Sequence, residues 1–194
     1  MRVVKKPEER RAEMVAAASK LFAQQGFVKT SVAEIVSAVD VAKGLFYYYF
    51  TTKDDMVKAV VEGYASYLGN EAQKIAMGEG TAHEKVARLM GHEAWNQCFT
   101  QPLIGDLCLP QHAALYSDMC DRMMDHMGPA LEMILAQALR EREMDASQAK
   151  QLSGVGLYGV LMMARRGEMS MQGACDMFAR MTGTQFDGRQ GKSL

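Results

Sequence analysis

The stretch LFAQQGFVKTSVAEIVSAVDVAKGLFYYYFTTKDDMVKAVV, residues 21–61, contains the signals for several successive helices. Gly26 is placed to end a first helix as its C-terminal cap, because glycine readily adopts the backbone conformation that such caps need. Ser31 and Glu34 form the capping-box pattern, in which each side chain accepts a hydrogen bond from a free amide at the start of a second helix. These local signals predict short connections between helices in this part of the chain.

The third helix of this stretch is predicted over residues 43–49, after a short turn at 39–42. Thr51 or Thr52 can cap a fourth helix that begins near Lys53. Two short helices joined by a tight turn, with another helix before them, are typical of a helix-turn-helix. Such a motif places its second helix in the major groove of DNA.

The third helix has an aromatic face for the core and a polar face for DNA. The residues predicted to pack inward are Phe46, Tyr49 and Phe50. The residues predicted to face outward are Lys43, Gly44, Tyr47 and Tyr48. Tyrosine hydroxyls and lysine ammonium groups contact phosphates, and glycine lets the backbone come close to DNA. Lys53, with the free amides at the next helix start, adds a second anion site.

Toward the N-terminus, the sequence predicts that the first helix begins at Pro7. Apolar residues at helical spacing give this helix one buried stripe, formed by Met14, Ala18, Leu21 and Phe22. Residues 1–53 hold nine Lys and Arg against five Asp and Glu, whereas the whole chain has a net charge of −1. A basic N-terminal part indicates a polyanionic partner for that part alone, although a solvated charged face would have the same composition.

Residues 21–61 resemble the N-terminal domain of TetR-family transcriptional regulators. The positions that carry the resemblance are Gly26, Phe27, Thr30, Ser31, Val41, Lys43, Gly44, Tyr47, Tyr49, Phe50 and Lys53. The resemblance implies an all-α protein with a three-helix DNA-binding domain at residues 1–53. It also implies a C-terminal helical domain for ligand binding and dimerisation, which we place at 54–186, before a tail at 187–194 that we expect to be disordered.

The resemblance also implies roles for individual residues. Thr30 and Ser31 would contact phosphate at the start of the second helix, and Lys53 would clamp a phosphate from the fourth. The residues that would contact DNA from the third helix are Lys43, Gly44, Tyr47 and Tyr48. Ala42 and Leu45 depart from the family pattern, in which Ser and a small polar residue are usual. Leu45 could meet a thymine methyl group or pack sideways.

The rest of the chain is predicted to be helical, at about 82–99, 111–126, 129–143, 146–166 and 170–182. Pro102, Pro110 and Pro129 mark breaks or helix starts. Small residues at 154–159 and an apolar stripe at 171–181 favour a homodimer built from the last two helices, although packing within one chain would use the same residues.

A ligand pocket is predicted among bulky residues of this helical region. Its candidate residues are Trp95, Phe99, His112, Tyr116, Met123, Met127 and Tyr158. The chain has 17 methionines, and methionine suits surfaces that repack around varied apolar ligands, although it also fills ordinary cores. We therefore expect an apolar small-molecule effector.

Missing motifs exclude several classes of function. The sequence contains no P-loop, GxSxG, HExxH or Rossmann fingerprint, so we predict no enzyme and no cofactor. Cys108, His112, Cys120 and His126 are metal-ligand types, but no pair has the spacing of a zinc finger, so we predict no metal site. Metal or redox sensing by the cysteines stays an alternative without a supporting pattern.

The chain is expected to work in the cytoplasm and not in a membrane. Its four cysteines show no disulfide framework, which fits a reducing compartment. Residues 1–20 lack the apolar run of a signal peptide, and the apolar stretch 155–164 is too short to span a bilayer.

The leading hypothesis is a ligand-responsive repressor that binds a palindromic operator as a dimer and is released by its effector. One alternative is a DNA-binding dimer without an effector, which acts constitutively or through a protein partner. A more remote alternative is a helical small-molecule-binding protein or enzyme that does not bind DNA.

Overall fold

The computed structural model describes residues 6–93 and 101–141 of the chain, and in these ranges it contains helices and no strand. This agrees with the predicted all-α class. The helices are α1 Pro7–Gln25, α2 Val32–Ala38, α3 Lys43–Tyr49, α4 Lys53–Met77, α5 Ala82–Met90, α6 Pro102–Leu107, a 3₁₀ turn at Pro110–His112, and α7 Ala113–Arg140. None of these helices is both long and apolar enough to cross a membrane.

The boundaries of the first helices confirm the local signals in the sequence. α1 ends at Gly26, whose backbone N–H donates to the Phe22 carbonyl at 2.9 Å. The Ser31 hydroxyl accepts from the Glu34 amide at 3.2 Å, and the Glu34 carboxylate accepts from the Ser31 amide at 2.7 Å. Both halves of the capping box at the start of α2 are therefore formed.

Thr52 is the residue that caps α4. Its hydroxyl accepts from the Asp55 amide at 3.1 Å, and the Asp55 carboxylate accepts from the Thr52 amide at 2.9 Å. This is the same reciprocal arrangement as in a capping box, with Asp in place of Glu. Only two residues lie between the end of α3 and Thr52, so the connection between α3 and α4 is short.

The predicted break at Pro129 was wrong. The sequence predicted two helices, at 111–126 and 129–143, but α7 runs without interruption from Ala113 to Arg140. The helix predicted at 82–99 ends earlier than expected. α5 ends at Met90, where the Gly91 amide donates a hydrogen bond to the Ala87 carbonyl. The predicted helices at 146–166 and 170–182 and the tail at 187–194 lie outside the described residues.

Packing explains how α7 tolerates a proline. Gly128 precedes Pro129 and has no Cβ to meet the proline ring, which removes part of the usual clash. Met127, Ala130 and Ile134 are buried on both sides of the proline. An interior proline costs a helix about 3 kcal/mol. Burial of apolar side chains both before and after Pro129 offsets that cost, so the helix continues through the proline.

The described residues form two compact units. The first unit contains residues 6–64 and 101–122, and the second contains residues 65–93 and 123–141. α6 packs on α1, so a segment distant in sequence joins the helix-turn-helix in the first unit. The buried core of the first unit includes Met14, Phe22, Phe27, Ile35, Phe46, Met56, Leu103, Leu107 and Tyr116.

In the second unit, a close backbone approach and the hydrogen bonds of a buried lysine connect neighbouring helices. A Cβ placed on Gly69 of α4 would lie 2.6 Å from the His126 carbonyl oxygen of α7. Lys85 of α5 is buried, and its ammonium group donates to the Ala76 carbonyl at 2.8 Å and to the Gln137 side chain at 2.7 Å. These contacts join α4, α5 and α7 inside this unit.

Candidate nucleic-acid interface

The third helix places its two faces as the sequence predicted. Phe46 and Phe50 are buried, and Tyr49 is half-buried. Tyr47 and Tyr48 are 52% and 74% exposed. Because three consecutive tyrosines cannot share one core, the core takes part of Tyr49 and leaves the other two in solvent.

The outer face of α3 also includes Lys43 and Gly44, which are both exposed. An alanine Cβ at position 44 would meet no described atom within 4 Å, so the fold does not require glycine there. Glycine lowers helix stability relative to alanine. A glycine that the fold does not need, on an exposed helix face, fits a site where the backbone must come close to another molecule.

Ala42 and Leu45, the two departures from the family pattern, lie at the start of this helix. Ala42 is the N-cap of α3 and offers no side-chain hydrogen bond to the helix. Leu45 is half-buried. The residue therefore packs partly against the protein, and part of its side chain remains available for an apolar contact.

Ser31 is exposed at the N-terminus of α2. Its hydroxyl oxygen accepts a hydrogen bond from the Glu34 amide at 3.2 Å. The pKa of Glu34 lies below its ordinary value, because the Ser31 backbone N–H and then the Ser31 and Gln25 side chains form hydrogen bonds with it. Glu34 is therefore ionised at neutral pH, and its carboxylate accepts the Ser31 amide hydrogen bond of the capping box.

Thr30, a predicted phosphate contact, is buried in the loop between α1 and α2. Its side chain is 1% exposed. Its hydroxyl donates to the Gly26 carbonyl at 2.7 Å and accepts from the Gln25 side-chain amide at 3.1 Å. Burial and internal hydrogen bonds make Thr30 a support for the loop between α1 and α2, and its contact with phosphate stays a prediction.

Lys53, the predicted phosphate clamp, forms hydrogen bonds with the same loop. Its ammonium group donates to the Phe27 carbonyl at 2.9 Å and to the Thr30 carbonyl at 3.2 Å, with the Val28 carbonyl at 3.5 Å. It also lies 5.7 Å from the centre of the Phe27 ring. An ammonium group has three N–H donors, and three carbonyl oxygens of one loop surround it.

Two residues that contact the same loop could not be found from local sequence patterns. The Asp106 carboxylate of α6 accepts from the Val28 amide at 2.9 Å. The His112 ring packs against the Phe27 ring at a centroid distance of 4.8 Å. Asp106 follows Val28 by 78 positions, and no helix cap or spacing rule connects residues so far apart.

The predicted pocket residues that the structure describes belong to different units. His112 and Tyr116 are in the first unit, where His112 lies against Phe27 and Tyr116 is buried. Met123 and Met127 are buried in the second unit. The other predicted pocket residues lie outside the described residues; they are Trp95, Phe99 and Tyr158.

An open groove of about 690 Å³ lies along the outer side of α1, beside the turn that follows α2. Its floor includes Ala17, Leu21 and Val39, with Lys20 and Asp40 at its rim. None of the predicted pocket residues lines this groove. In residues 6–93 and 101–141, no group of three or more His, Cys, Asp or Glu side chains could hold a metal ion.

Comparison with known proteins gives a family match at this interface. The family model described as "Bacterial regulatory proteins, tetR family" matches residues 14–60, which include the C-terminal part of α1, all of α2 and α3, and the start of α4. The chain is 36% identical to the HTH-type transcriptional regulator HbdR of Aromatoleum sp. (strain CIB) over 95 residues, which are 47% of this chain and 38% of HbdR.

A second curated relative is similar over a longer stretch. The chain is 27% identical to the HTH-type transcriptional repressor NemR of Escherichia coli (strain K12) over 138 residues, which are 66% of each protein. The matches therefore span less than two thirds of the length of both relatives. Both are named as transcriptional regulators and not as enzymes.

Solved structures share the fold over most of the chain. RolR without ligand covers 90% of this chain and 91% of its own, with a TM-score of 0.69 and 19% identity. RolR in complex with resorcinol gives a TM-score of 0.66 and 21% identity, over 92% of this chain and 90% of its own. Residues 14–60 are matched by the TetR family model, the curated relatives are transcriptional regulators, and the solved structures share the fold.

Proposed function

We propose that this protein is a ligand-responsive transcriptional repressor that binds a palindromic DNA operator as a homodimer. The observation that carries the proposal is the outer face of α3, where Lys43, Gly44, Tyr47 and Tyr48 are exposed while Phe46 is buried behind them. A short helix that is anchored by its aromatic core and presents lysine and tyrosine to solvent is suited to the major groove.

The dimensions of α3 fit this role. Its seven residues make a helix about 10 Å long at 1.5 Å per residue. An α-helix with its side chains is about 10 to 12 Å in diameter and the major groove is about 12 Å wide, so α3 can enter it. Ser31, at the N-terminus of α2, would donate to a phosphate on the adjoining backbone. Two such heads in a dimer would read half-sites about 34 Å apart, one helical turn of DNA.

The homodimer and its effector are proposed for the C-terminal helical region. RolR has been solved in complex with resorcinol, which supports a small apolar or aromatic molecule as the class of effector here. NemR is named as a repressor, which supports repression as the direction of control. The effector would release DNA by binding the released state more tightly, and a few kcal/mol of difference is enough.

One observation favours a second candidate, a DNA-binding dimer without an effector. Tyr116, Met123 and Met127 are all buried, as they would be in an ordinary core. A titration of the operator complex with small phenols separates the two candidates. Release of DNA at a saturable concentration supports the effector, whereas unchanged binding with every phenol supports the second candidate.

We expect Lys43→Ala to weaken operator binding about tenfold and to reduce the salt dependence by about one released counterion. The reason is the loss of one phosphate contact from α3. The measurement is a mobility-shift titration with the DNA upstream of the gene at several salt concentrations. Lys74→Ala is the control, because Lys74 is an exposed lysine of α4 that pairs with Glu71 in the second unit. If both variants bound the operator as tightly as the original protein, the assignment of α3 as the DNA-contacting helix would be contradicted.

We expect Gly44→Ala to separate folding from DNA binding. The free energy of unfolding should stay the same or rise by up to about 1 kcal/mol, because alanine is a better helix former than glycine. Operator affinity should fall about tenfold, because a methyl group would keep the backbone of α3 from the DNA. Urea unfolding and the same mobility-shift titration measure the two effects. Full affinity in this variant would show that no close backbone approach occurs at Gly44.

A further inference from the structure

A single peptide group in the loop between α1 and α2 is held at both of its ends. Its carbonyl oxygen belongs to Phe27 and accepts from the Lys53 ammonium group at 2.9 Å. Its N–H belongs to Val28 and donates to the Asp106 carboxylate, also at 2.9 Å. A cation from α4 and an anion from α6 therefore hold opposite ends of one peptide dipole.

Gly26 makes room for the anionic end of this arrangement. A Cβ at Gly26 would lie 2.3 Å from the nearer carboxylate oxygen of Asp106. The backbone of Gly26 has φ 82° and ψ 163°, a region that is essentially restricted to glycine. The close approach of the carboxylate and the unusual backbone occur at the same residue, so the loop is shaped around Asp106.

The orientation of this peptide group determines how the chain enters α2. Thr30 is buried two residues later, and its carbonyl also accepts from Lys53. Ser31, the N-cap of α2, follows directly. Because α2 and α3 pack on each other, a rotation of the Phe27–Val28 peptide group would shift both helices of the helix-turn-helix.

We infer that Lys53 and Asp106 are positioning residues for DNA binding, which act by clamping the Phe27–Val28 peptide group and touch no DNA themselves. This inference rests on the proposed function. Hydrogen bonds to charged groups are stronger than neutral ones, and a peptide group polarised from both ends binds each partner better. The two side chains should therefore act as one unit, and loss of either should release the clamp.

Electrostatics makes Asp106 the more informative of the two residues. A carboxylate near DNA repels phosphates, so removal of Asp106 through charge alone should raise operator affinity. The clamp predicts the opposite, because the loop and the start of α2 lose their orientation. A loss of affinity in a variant that folds as well as the original protein therefore comes from position and not from charge.

The experiment measures operator affinity and its salt dependence for Asp106→Ala, Lys53→Met and the double variant. Each single variant should bind about tenfold more weakly, the effect of one hydrogen bond to a charged group. The double variant should lose about as much as one single variant, and far less than the hundredfold expected for independent sites. The salt dependence should stay unchanged in all three, because no phosphate contact is removed.

The control is Asp121→Ala, which removes an exposed carboxylate from α7 in the first unit and should bind operator as tightly as the original protein or more tightly. Asp106→Asn keeps an oxygen that can accept from the Val28 amide, so it should retain most of the operator affinity that Asp106→Ala loses. It replaces Asp106→Ala in the comparison if the alanine variant folds poorly. Amide hydrogen exchange at Val28 should be faster in Asp106→Ala than in Asp121→Ala, because the amide has lost its acceptor.

Three results would overturn the inference: full operator affinity in Asp106→Ala, a salt dependence in Lys53→Met that falls by about one counterion, or additive losses in the double variant. The second result would show that Lys53 contacts phosphate directly. Absence of sequence-dependent DNA binding in the original protein would instead defeat the proposed function. Faster exchange at Val28 in Asp106→Ala would still identify the clamp in that case, with no role in DNA binding.

Discussion

Gly26→Ala is expected to lower the free energy of unfolding by at least about 3 kcal/mol, through backbone strain and overpacking together. The backbone of Gly26 has φ 82° and ψ 163°, which an alanine adopts only under strain. The new methyl group would also lie 2.3 Å from the Asp106 carboxylate. The loop would have to give up either its backbone conformation or its hydrogen bond from Val28 to Asp106.

Urea unfolding followed by circular dichroism measures this effect. Gly63→Ala is the matched control, because a Cβ at Gly63, on the exposed side of α4, would meet no described atom within 4 Å. That variant should be as stable as the original protein or more stable by up to about 1 kcal/mol. In a Gly26→Ala/Asp106→Ala double variant, the destabilisation caused by the clash with the carboxylate should disappear. The destabilisation caused by backbone strain should remain. Equal stability of the Gly26 and Gly63 variants would contradict the role of Gly26.

Gly69→Ala is expected to destabilise the protein by about 2 to 3 kcal/mol, the usual cost of forcing extra atoms into a packed interface. The added Cβ would lie 2.6 Å from the His126 carbonyl oxygen and 2.9 Å from the His126 carbonyl carbon. These are backbone atoms of α7, so no side-chain rotation can relieve the clash. The α4 and α7 segments of the second unit would have to move apart.

Comparison with Gly63→Ala separates packing from helix propensity, since both glycines lie within α4. Propensity predicts the same small gain at both positions, whereas packing predicts opposite signs. The measurement is again the free energy of unfolding in urea. If Gly69→Ala proved as stable as Gly63→Ala, the close approach at His126 would not be a feature of the folded protein.

The sequence predicted helix boundaries well wherever the determining hydrogen bonds are local. Gly26 ends α1, and the Ser31–Glu34 pair starts α2. Thr52, one of two candidates, caps α4. Each of these signals needs only a side chain and a backbone group within four residues, so the pattern of residue types is enough to identify it.

The prediction failed at Pro129 because the deciding energy is not local. A proline in a helix removes one hydrogen bond and clashes with the preceding turn, which favours a break when the sequence is considered alone. Burial of Met127, Ala130 and Ile134 keeps the helix continuous. Which side chains become buried depends on the other helices that pack against α7.

The DNA-binding residues show the same division between local and distant causes. The exposed face of α3 was predictable, because helical spacing determines which of its residues share a face. Thr30 and Lys53 were predicted from their residue types to contact phosphate, and in the folded loop their side chains bind carbonyl oxygens. A hydroxyl or ammonium group that would suit a phosphate also suits a carbonyl oxygen, and only the folded loop brings such carbonyls within reach.

By itself, the sequence determined the helical class, the helix-turn-helix, its outward-facing residues and the resemblance to TetR-family regulators. These follow from periodicity, capping and short connections, which act over a few residues. Only the tertiary structure decided that α6 joins the first unit and that Asp106 and Lys53 hold one peptide group between them. The physical reason is that a hydrogen-bonding group takes the partner that folding places near it, and chain neighbours do not specify that partner.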